Sequence, residues 1–299
     1  MKTNSFLIII ALVIANINVA FGFSKMNSIS KSISFRSKSL SLQYSFKPTL
    51  TKLVERKDLT KEETEEAWDQ ILSGADPAAV GALLALLRAK GETAVEIAGM
   101  VKSMKKYCKA ITTNEKLLDI VGTGGDGADT INISTASVIL AAACGCKVAK
   151  AGNRSVSSRC GSADVLETLG VRIELLPDQV KASIEQCGIG FMYAPINHPA
   201  MKTVAPIRKS LGIRTAFNIL GPMTNAADAQ RVVIGVFDES LVDLLAESLM
   251  EIGNIEHGVV VNGCGLDEIS PLGESTVYEI RNTAPPGEPK KYDTNRYDI

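Results

Sequence analysis

Glycines and hydroxyl side chains lie close together in one stretch of this chain. Residues 122–127 read Gly-Thr-Gly-Gly-Asp-Gly and directly follow a short apolar run, 117–121. Only glycine lets backbone N–H groups turn inward and approach an anion closely, so this pattern predicts a buried strand that ends in a phosphate loop. Ser134 and Thr135 then have the side chains of an N-cap for an alanine-rich helix over 136–144, and a helix N-terminus attracts phosphate.

Two other nucleotide-binding motifs can be compared with this loop. Residues 122–127 contain a literal G-x-G-x-x-G, but the dinucleotide fold needs an acidic residue about twenty positions later. Beyond the loop the chain instead carries basic residues, at Lys147, Lys150 and Arg154. A Walker loop would need Lys-Ser/Thr after the last glycine, where Ala128 stands. The basic residues therefore favour a phosphate-rich ligand that is not a dinucleotide.

A second group with chemical potential is the acidic pair Asp267-Glu268. Gly265 before the pair and Pro271 after it predict a loop at the C-terminal end of a strand, where both carboxylates can converge. Hard oxygen ligands suit magnesium, which typically keeps several waters and bridges substrate phosphates. Taken alone such a pair is more often solvated, so the magnesium interpretation depends on the phosphate loop and on the resemblance described below.

Two kinds of element must position these residues. Segment 51–109 has the pattern of helices only: residues 60–63 predict a capping box, and Asp76-Pro77 predicts the start of a helix over 78–89. We interpret Trp68 as a core anchor of this helical layer.

From residue 117 onward, short apolar runs alternate with helical segments. The predicted strands are 117–121, 147–149, 172–175, 190–193, 231–237 and 258–262. The predicted fold class is therefore α/β, with a small N-terminal helical domain and a larger α/β domain in which helices flank a mainly parallel sheet. We place the helical domain at 48–116 and the α/β domain at 117–299.

The N-terminal segment 1–47 has the composition of a targeting presequence. It contains six of the 32 Lys and Arg residues and none of the 33 Asp and Glu residues. The apolar stretch 6–17 has the shape of a signal-peptide h-region, and a Ser-rich basic tract follows Phe21. This order resembles the bipartite presequences of algae whose plastids lie inside the endomembrane system, and it predicts the plastid stroma. The alternative is a plain secretory signal followed by a disordered linker.

Charge and cysteine content narrow the function classes further. Without residues 1–47 the chain has 26 basic and 33 acidic residues, a net charge of −7. It therefore lacks the global positive field of a nucleic-acid-binding protein, and we expect no nucleic-acid partner and no membrane association of the mature form. The six cysteines show no C-x-x-C spacing, so we expect reduced, mostly buried thiols.

Several motifs occur in order along residues 51–280. They are 119–127 (Asp-Ile-Val-Gly-Thr-Gly-Gly-Asp-Gly), 132–135 (Asn-Ile-Ser-Thr), 150–154 (Lys-Ala-Gly-Asn-Arg), 161–167 (Gly-Ser-Ala-Asp-Val-Leu-Glu), 198–202 (His-Pro-Ala-Met-Lys), 218–222 (Asn-Ile-Leu-Gly-Pro) and 265–268 (Gly-Leu-Asp-Glu). Together with Arg208 they resemble the anthranilate phosphoribosyltransferase family of the tryptophan pathway.

The resemblance implies an activity, a cofactor and a set of site residues. The activity is transfer of the 5-phosphoribosyl group from phosphoribosyl pyrophosphate to anthranilate, with Mg²⁺ as cofactor. The residues implied for phosphoribosyl pyrophosphate are Gly122, Thr123, Gly124, Gly125, Asp126, Asn132, Ser134, Thr135 and Lys150. Those implied for anthranilate are Gly122, Asn153, His198 and Arg208, and those for magnesium are Ser134, Asp267 and Glu268. Lys150, Asp267 and Glu268 are the implied catalytic residues.

The resemblance also guides the remaining interpretations. We expect Arg208 to pair bidentately with the anthranilate carboxylate, although without the resemblance it would be read as a surface arginine, and His198 as a turn residue. Segment 196–214 is expected to pack with the helical domain, and the protein to form a homodimer.

Two features depart from the family pattern. Ala151 stands where the family usually has histidine. The polar tract 282–298 reads as a linker, so we interpret the chain as an incomplete gene product or fragment with an exposed sheet edge. The open alternatives are a pyrimidine nucleoside phosphorylase, which would need a Lys-His-Ser-like lead-in at 120–122, and a non-catalytic homologue inactivated by truncation. A nucleic-acid-binding relative would be expected to lose Asp267 and Glu268.

Overall fold

Helices form the first part of the chain. The computed structural model describes residues 46–299 except 125, 126, 129 and 156–158, so the predicted presequence, apart from residues 46 and 47, lies outside the described residues. The first helices are α1 (Lys47–Val54), α2 (Lys61–Leu72), α3 (Pro77–Lys90) and α4 (Ala94–Lys106). No helix in the described part of the chain has the length and apolar character that a membrane crossing requires.

Side-chain caps explain where these helices begin. The Thr60 hydroxyl accepts a hydrogen bond from the Glu63 N–H and the Glu63 carboxylate accepts one from the Thr60 N–H, which is the predicted capping box. Asp76 accepts hydrogen bonds from the first N–H groups of α3, and Pro77 occupies the first helical position, where a missing N–H does no harm. Both predicted starts are confirmed.

Trp68 on α2 is fully buried, as expected of a core anchor. Its ring centroid lies 5.3 Å from that of Phe217, which belongs to the later, α/β part of the chain. Gly99 on α4 lets α2 approach closely, because a Cβ at this position would overlap the carbonyl oxygen of Lys61. The helical layer is therefore packed tightly within itself and joined to the second domain through an aromatic contact.

The second part of the chain forms a seven-stranded sheet. The strands are β1 (Leu117–Gly122), β2 (Lys147–Gly152), β3 (Ile189–Tyr193), β4 (Arg231–Gly235), β5 (His257–Gly263), β6 (Ser275–Asn282) and β7 (Tyr292–Asp298). Their spatial order is β3-β2-β1-β4-β5-β6-β7, in which β1 to β5 run parallel, β6 pairs antiparallel with β5, and β7 pairs antiparallel with β6. The predicted fold class is confirmed.

The connecting helices complete the layers. They are α5 (Ile133–Ala143), α6 (Ser162–Thr168), α7 (Pro177–Cys187), α8 (Ala194–Asn197), α9 (Met201–Leu211), α10 (Phe217–Leu220), a 3₁₀ turn (Gly221–Met223) and α11 (Ser240–Ile252). Helix α9 contacts α2 and α3, and α11 contacts α4. The helical layer thus rests on elements contributed by the α/β domain.

The strand order reverses between β1 and β4. The chain proceeds from β1 to β2 and β3 on one side, and continues from β4 to β5 on the other. The loops that leave the carboxyl ends of β1 and β4 therefore diverge, and open α/β sheets bind ligands in the crevice that such a divergence creates. This crevice lies where the sequence predicts the phosphate loop.

Two predicted elements are wrong. Residues 172–175 form no strand: Ile173 packs in a small cluster with Leu166 and Phe191, and Pro177 begins α7 directly afterwards. The tract 282–298 is not a linker, because β7 pairs with β6 along its whole length. Hydrophobic patterning could not reveal β7, since this edge strand is exposed and is held by backbone hydrogen bonds and by Arg296, which pairs with Asp243 of α11.

The cysteines match the expectation only in part. All six thiols are free of disulfides, as expected. Their predicted burial is wrong, because only Cys108 is partly buried and the other five are exposed. Cys144 and Cys187 lie at the C-terminal ends of α5 and α7, and both are exposed to solvent.

Candidate functional site

The glycine loop leaves the carboxyl end of β1 and is attached to the neighbouring strand. The Thr123 N–H donates to the carbonyl oxygen of Gly235 at 2.9 Å, and the Thr123 hydroxyl accepts a hydrogen bond from the Phe237 N–H at 3.4 Å. The loop is thus held against the exit of β4, inside the crevice at the β1/β4 reversal. Gly125 and Asp126, which the resemblance implies for phosphoribosyl pyrophosphate, lie outside the described residues.

Asp267 reaches into this loop from the end of β5. Its carboxylate accepts a hydrogen bond from the Gly124 N–H at 2.8 Å. Two glycines make the approach possible: a Cβ at Gly122 would overlap the Asp267 carboxylate, and one at Gly235 would overlap the Asp267 carbonyl oxygen. The chain therefore lacks side chains at the two places where the acidic loop passes over the strands.

Asn262 fixes the path of the acidic loop. Its amide nitrogen donates to the carbonyl oxygen of Val236 at 2.6 Å, and its amide oxygen accepts from the Gly265 N–H at 3.2 Å. The buried Asn262 side chain thereby ties the loop after β5 to the exit of β4. Sequence reasoning did not identify Asn262 or Gly235, since neither lies in a phosphate or metal motif.

Lys150 lies beneath the glycine loop and is 2% exposed. Its ammonium group donates to the carbonyl oxygen of Ile120 at 2.8 Å and lies 3.4 Å from the hydroxyl oxygen of Ser134. Burial lowers the pKa of Lys150, and the carboxylates of Asp119 and Glu268 oppose that shift. A cation in such a site, next to a loop of backbone N–H groups, is suited to an anionic ligand.

Asp119, at the centre of β1, is fully buried. Burial raises the pKa of its carboxyl group to about 6, against the opposing charge of Lys150 and the hydrogen bond from Asn225. A carboxyl group with this pKa is largely ionised at neutral pH, so a buried negative charge lies on the strand next to the one that carries Lys150. The sequence offered one signal for this, an acidic residue inside an otherwise apolar strand.

The start of α5 differs from the prediction. The N-cap residue is Asn132, so Ser134 and Thr135 lie within the first turn and do not cap the helix. Asn132 itself forms no side-chain cap, because its amide group donates to the carbonyl oxygen of Cys160, just before α6. The Thr135 hydroxyl is buried without a hydrogen-bond partner in the part of the chain that the structure describes.

Only one of the three cations singled out after the loop lies at the glycine loop. Lys147 donates instead to the last carbonyl groups of α7, at Ile184 and Glu185. Arg154 forms ion pairs with Asp164 and Glu167. Arg154 is thus neutralised by acidic residues of α6, and Lys150 is the cation of these three that remains beside the crevice.

The residues implied for anthranilate come from separate elements of the fold. Asn153 is exposed, and its carbonyl oxygen accepts a hydrogen bond from the Ala163 N–H at 3.1 Å. His198 lies beside Leu72 and Met104 of the helical layer, and burial lowers its pKa, so the imidazole is neutral at pH 7. The Arg208 guanidinium lies 5.4 Å from the ring centroid of Phe217.

Arg208 is the most informative of these side chains. Burial lowers the pKa of its guanidinium, and within the described ranges no acceptor of a hydrogen bond or ion pair is found for that group. A partly buried cation that contacts an aromatic ring but has no counter-charge is suited to an incoming carboxylate. Its role, like the roles of the other site residues, stays a prediction.

The donor set near the glycine loop fits a magnesium ion. Asp267 and Glu268 supply two carboxylates from one loop, and Ser134 can supply a hydroxyl oxygen. The described residues contain no cluster of three or more His, Cys, Asp or Glu side chains that could hold a metal by themselves. Oxygen donors of this kind suit an ion whose coordination is completed by water and by ligand phosphates.

Comparison with known proteins agrees with this site. The glycosyl transferase family matches over both domains, its helical bundle domain at residues 47–108 and its a/b domain at residues 114–292. An anthranilate phosphoribosyltransferase of Methanosarcina acetivorans is 52% identical over 238 residues, 79% of this chain and 64% of that protein. One of Dehalococcoides mccartyi is 50% identical and is covered to 70% of its length. The chain belongs to the anthranilate phosphoribosyltransferase family.

Solved structures of anthranilate phosphoribosyltransferases are also similar. The enzyme of Thermus thermophilus superposes with a TM-score of 0.74 at 42% identity, over 81% of this chain and 72% of that one. The enzyme of Saccharomyces cerevisiae, in complex with PRPP and Mg, superposes with a TM-score of 0.73 at 30% identity, over 78% of this chain and 69% of that one. The chain spans 64% of the length of its Methanosarcina relatives.

We predict that Gly235→Ala displaces the acidic loop. The new Cβ would overlap the Asp267 carbonyl oxygen, so the hydrogen bond from Gly124 to Asp267 should break. Exchange of the Gly124 amide hydrogen, followed by NMR, should accelerate at least about tenfold. Gly221→Ala is the matched control, because no atom lies within 4 Å of its added Cβ. An unchanged Gly124 exchange rate in Gly235→Ala would contradict the packing described here.

Proposed function

We propose that the chain transfers the 5-phosphoribosyl group from phosphoribosyl pyrophosphate to the amine of anthranilate and releases pyrophosphate. The observation that carries the proposal is the meeting of Lys150, the glycine loop and Asp267 in the crevice at the β1/β4 reversal. Membership of the anthranilate phosphoribosyltransferase family supports it. A relative from Saccharomyces cerevisiae was solved with PRPP and Mg, and also with 4-fluoroanthranilate.

The phosphate side of the proposed site is formed by the glycine loop and Lys150. Backbone N–H groups of the loop and the first turn of α5 would bind the sugar phosphate and the pyrophosphate. The Lys150 ammonium, held beneath the loop, would neutralise charge on the same group. These contacts become stronger as the pyrophosphate takes up negative charge on leaving.

Asp267, Glu268 and Ser134 would hold the magnesium ion on this side. When bound, magnesium stabilises negative charge on pyrophosphate oxygens. The close approach that Gly122 and Gly235 permit keeps the acidic loop against the glycine loop, so the carboxylates stay within the same crevice. The chain's own contribution is therefore to fix two carboxylates beside the phosphate-binding backbone.

The acceptor side would be formed by Arg208, His198 and Asn153. The Arg208 guanidinium can bind the anthranilate carboxylate through two parallel hydrogen bonds. The arylamine keeps a lone pair at neutral pH, so its nitrogen can attack C1 of the ribose as the C1–O bond to pyrophosphate breaks. After the N–C1 bond has formed, the amine proton passes to solvent, and proximity can replace a strong base.

A direct assay tests this proposal. Incubation of the chain with phosphoribosyl pyrophosphate, anthranilate and magnesium should cause loss of anthranilate fluorescence. Excess chelator should abolish the loss, because the two carboxylates then lack the ion that offsets pyrophosphate charge. Turnover that persists in chelator would refute the magnesium part of the proposal. Phosphorolysis of thymidine or uridine without any reaction of anthranilate would instead support a pyrimidine nucleoside phosphorylase.

Substitutions on the phosphate side and on the acceptor side of the site should change different kinetic constants. Arg208→Ala removes the carboxylate partner, and the loss of such a charged hydrogen-bonded pair weakens binding by about 2–5 kcal/mol. This should raise the KM for anthranilate and leave that for phosphoribosyl pyrophosphate nearly unchanged. Glu268→Gln should lower kcat and leave anthranilate affinity largely intact.

Arg281→Ala is the control for these substitutions, since Arg281 lies on the exposed surface of β6 and pairs with Glu279. It should leave both KM values and kcat unchanged. Equal weakening of both substrates by Arg208→Ala, with unchanged circular dichroism, would contradict the placement of the acceptor site on α9.

Plastid targeting and assembly are further parts of the proposal. We expect a fusion of residues 1–50 to a fluorescent reporter to enter the plastid of an alga with such plastids, and Phe21→Ala to prevent this. Secretion of the unmodified fusion would count against plastid targeting.

The proposed homodimer is tested by sedimentation equilibrium, in which a monomer mass at micromolar concentration would contradict it.

A further inference from the structure

A buried polar network lies where β1 adjoins β2, next to Lys150 in the chain, and none of the predicted site residues accounts for it. Its members are Asp119 of β1, which is fully buried, and Asn225, which is 5% exposed and follows the 3₁₀ turn. Neither residue belongs to the phosphate loop or to the acidic loop.

Asn225 uses its whole amide group in this network. The amide nitrogen donates to the Asp119 carboxylate at 2.7 Å and to the carbonyl oxygen of Ala149 at 2.9 Å. The amide oxygen accepts from the Ala227 N–H at 2.9 Å. Asn225 therefore fixes the Asp119 carboxylate relative to both β2 and the segment that follows the 3₁₀ turn.

The Asp119 carboxylate faces the strand that carries Lys150. Both of its oxygens lie 3.4 Å from the Ala151 nitrogen, and Asn225 donates to the Ala149 carbonyl oxygen, so the network holds β2 on both sides of Lys150. Among the described residues no ion-pair contact joins Asp119 to Lys150, and the carboxylate acts on the ammonium through space. Attraction between opposite charges is strong at a buried site, because little water screens it. Lys150 in turn reaches the carbonyl oxygen of Ile120 and the Ser134 hydroxyl at the glycine loop.

Burial of the opposite charges of Asp119 and Lys150 contributes little to the stability of the fold. Removing two charges from water is unfavourable, and apolar residues of similar size often stabilise a core equally well or better. Asp119, Asn225 and Lys150 nevertheless occupy the sheet at the point where the crevice opens. The arrangement is explained if Lys150 must remain a well-placed cation toward the crevice, with a counter-charge fixed on the neighbouring strand.

We propose that Asp119 and Asn225 are positioning residues, which hold the Lys150 ammonium in place for the diphosphate group of phosphoribosyl pyrophosphate. The inference rests on the proposed function. It assigns to Asp119 and Asn225 no contact with the substrate, so their effect on substrate binding must pass through Lys150.

A double-mutant cycle separates this role from general stabilisation of the fold. Binding of phosphoribosyl pyrophosphate, in the presence of magnesium, is measured by calorimetry for the full chain. Asp119→Asn keeps the side-chain size and removes the charge, and it should weaken binding about tenfold or more. Lys150→Met should weaken binding at least as much. The double variant should bind no more weakly than Lys150→Met alone, since Asp119 then has no ammonium to position.

Glu96→Gln is a matched control in the helical layer. Glu96 is also a fully buried carboxylate, and it pairs with the buried Lys90 at 2.9 Å. Its substitution should lower the thermal midpoint of unfolding and leave the affinity for phosphoribosyl pyrophosphate unchanged. A general loss of stability would thus be recognised by its effect on the melting temperature alone.

Asn225→Ala provides a second variant if Asp119→Asn does not fold. It leaves both charges in place and releases the Asp119 carboxylate, so Asn225→Ala alone should weaken binding about threefold or more. Combined with Lys150→Met, it should cause no loss beyond that of Lys150→Met. Additive losses in either cycle, or unchanged affinity in both single variants, would overturn the positioning role. Failure of the unmodified chain to bind phosphoribosyl pyrophosphate would overturn the proposed function itself, and the inference with it.

Discussion

The passage of the acidic loop over two glycines is the constraint on which the described site depends. Gly122 and Gly235 stand at adjacent positions on β1 and β4, and Asp267 crosses both. Because a single methyl group at either position would overlap Asp267, this close approach requires glycine at both positions. The hydrogen bond from Gly124 to Asp267 follows from that contact, and with it the closeness of phosphate-binding backbone and carboxylates.

The sheet supplies the rest of the arrangement through its order of strands. Strands β1 and β4 are neighbours in space but are separated by more than a hundred residues of chain. The intervening segment contributes β2 with Lys150, and also α9 and α10, which carry Arg208 and Phe217. Contact of Phe217 with Trp68 joins these elements to the helical layer. The segment between β1 and β4 therefore contributes residues to both sides of the proposed site.

Electrostatics divides the proposed site into two parts with different surroundings. Around Lys150 the charges alternate, with carboxylates of Asp119 and Glu268 acting on the ammonium. Around Arg208 the surroundings are apolar and aromatic, and burial alone lowers the pKa of the guanidinium. A charged, hydrogen-bonded region suits a diphosphate, and a drier region with one cation suits an aromatic carboxylate.

The sequence by itself determined the fold class, the starts of α2 and α3 and the position of the glycine loop. These follow from local rules, such as the capping box at Thr60 and the apolar run before Gly122, which act over a few residues. Local rules also led to errors. The apolar run at 172–175 packs without forming a strand, and β7 pairs although its sequence carries no hydrophobic alternation.

Only the tertiary structure decided which polar groups share the crevice. It directed Lys147 and Arg154 away to other partners, and brought Asn225 to Asp119 across 106 positions of chain. It also gave Gly235 and Asn262 their roles beside the acidic loop. The physical reason is that parallel strands meet their neighbours through long crossovers, so the contacts at their carboxyl ends depend on strand order and are not encoded by any short stretch of sequence.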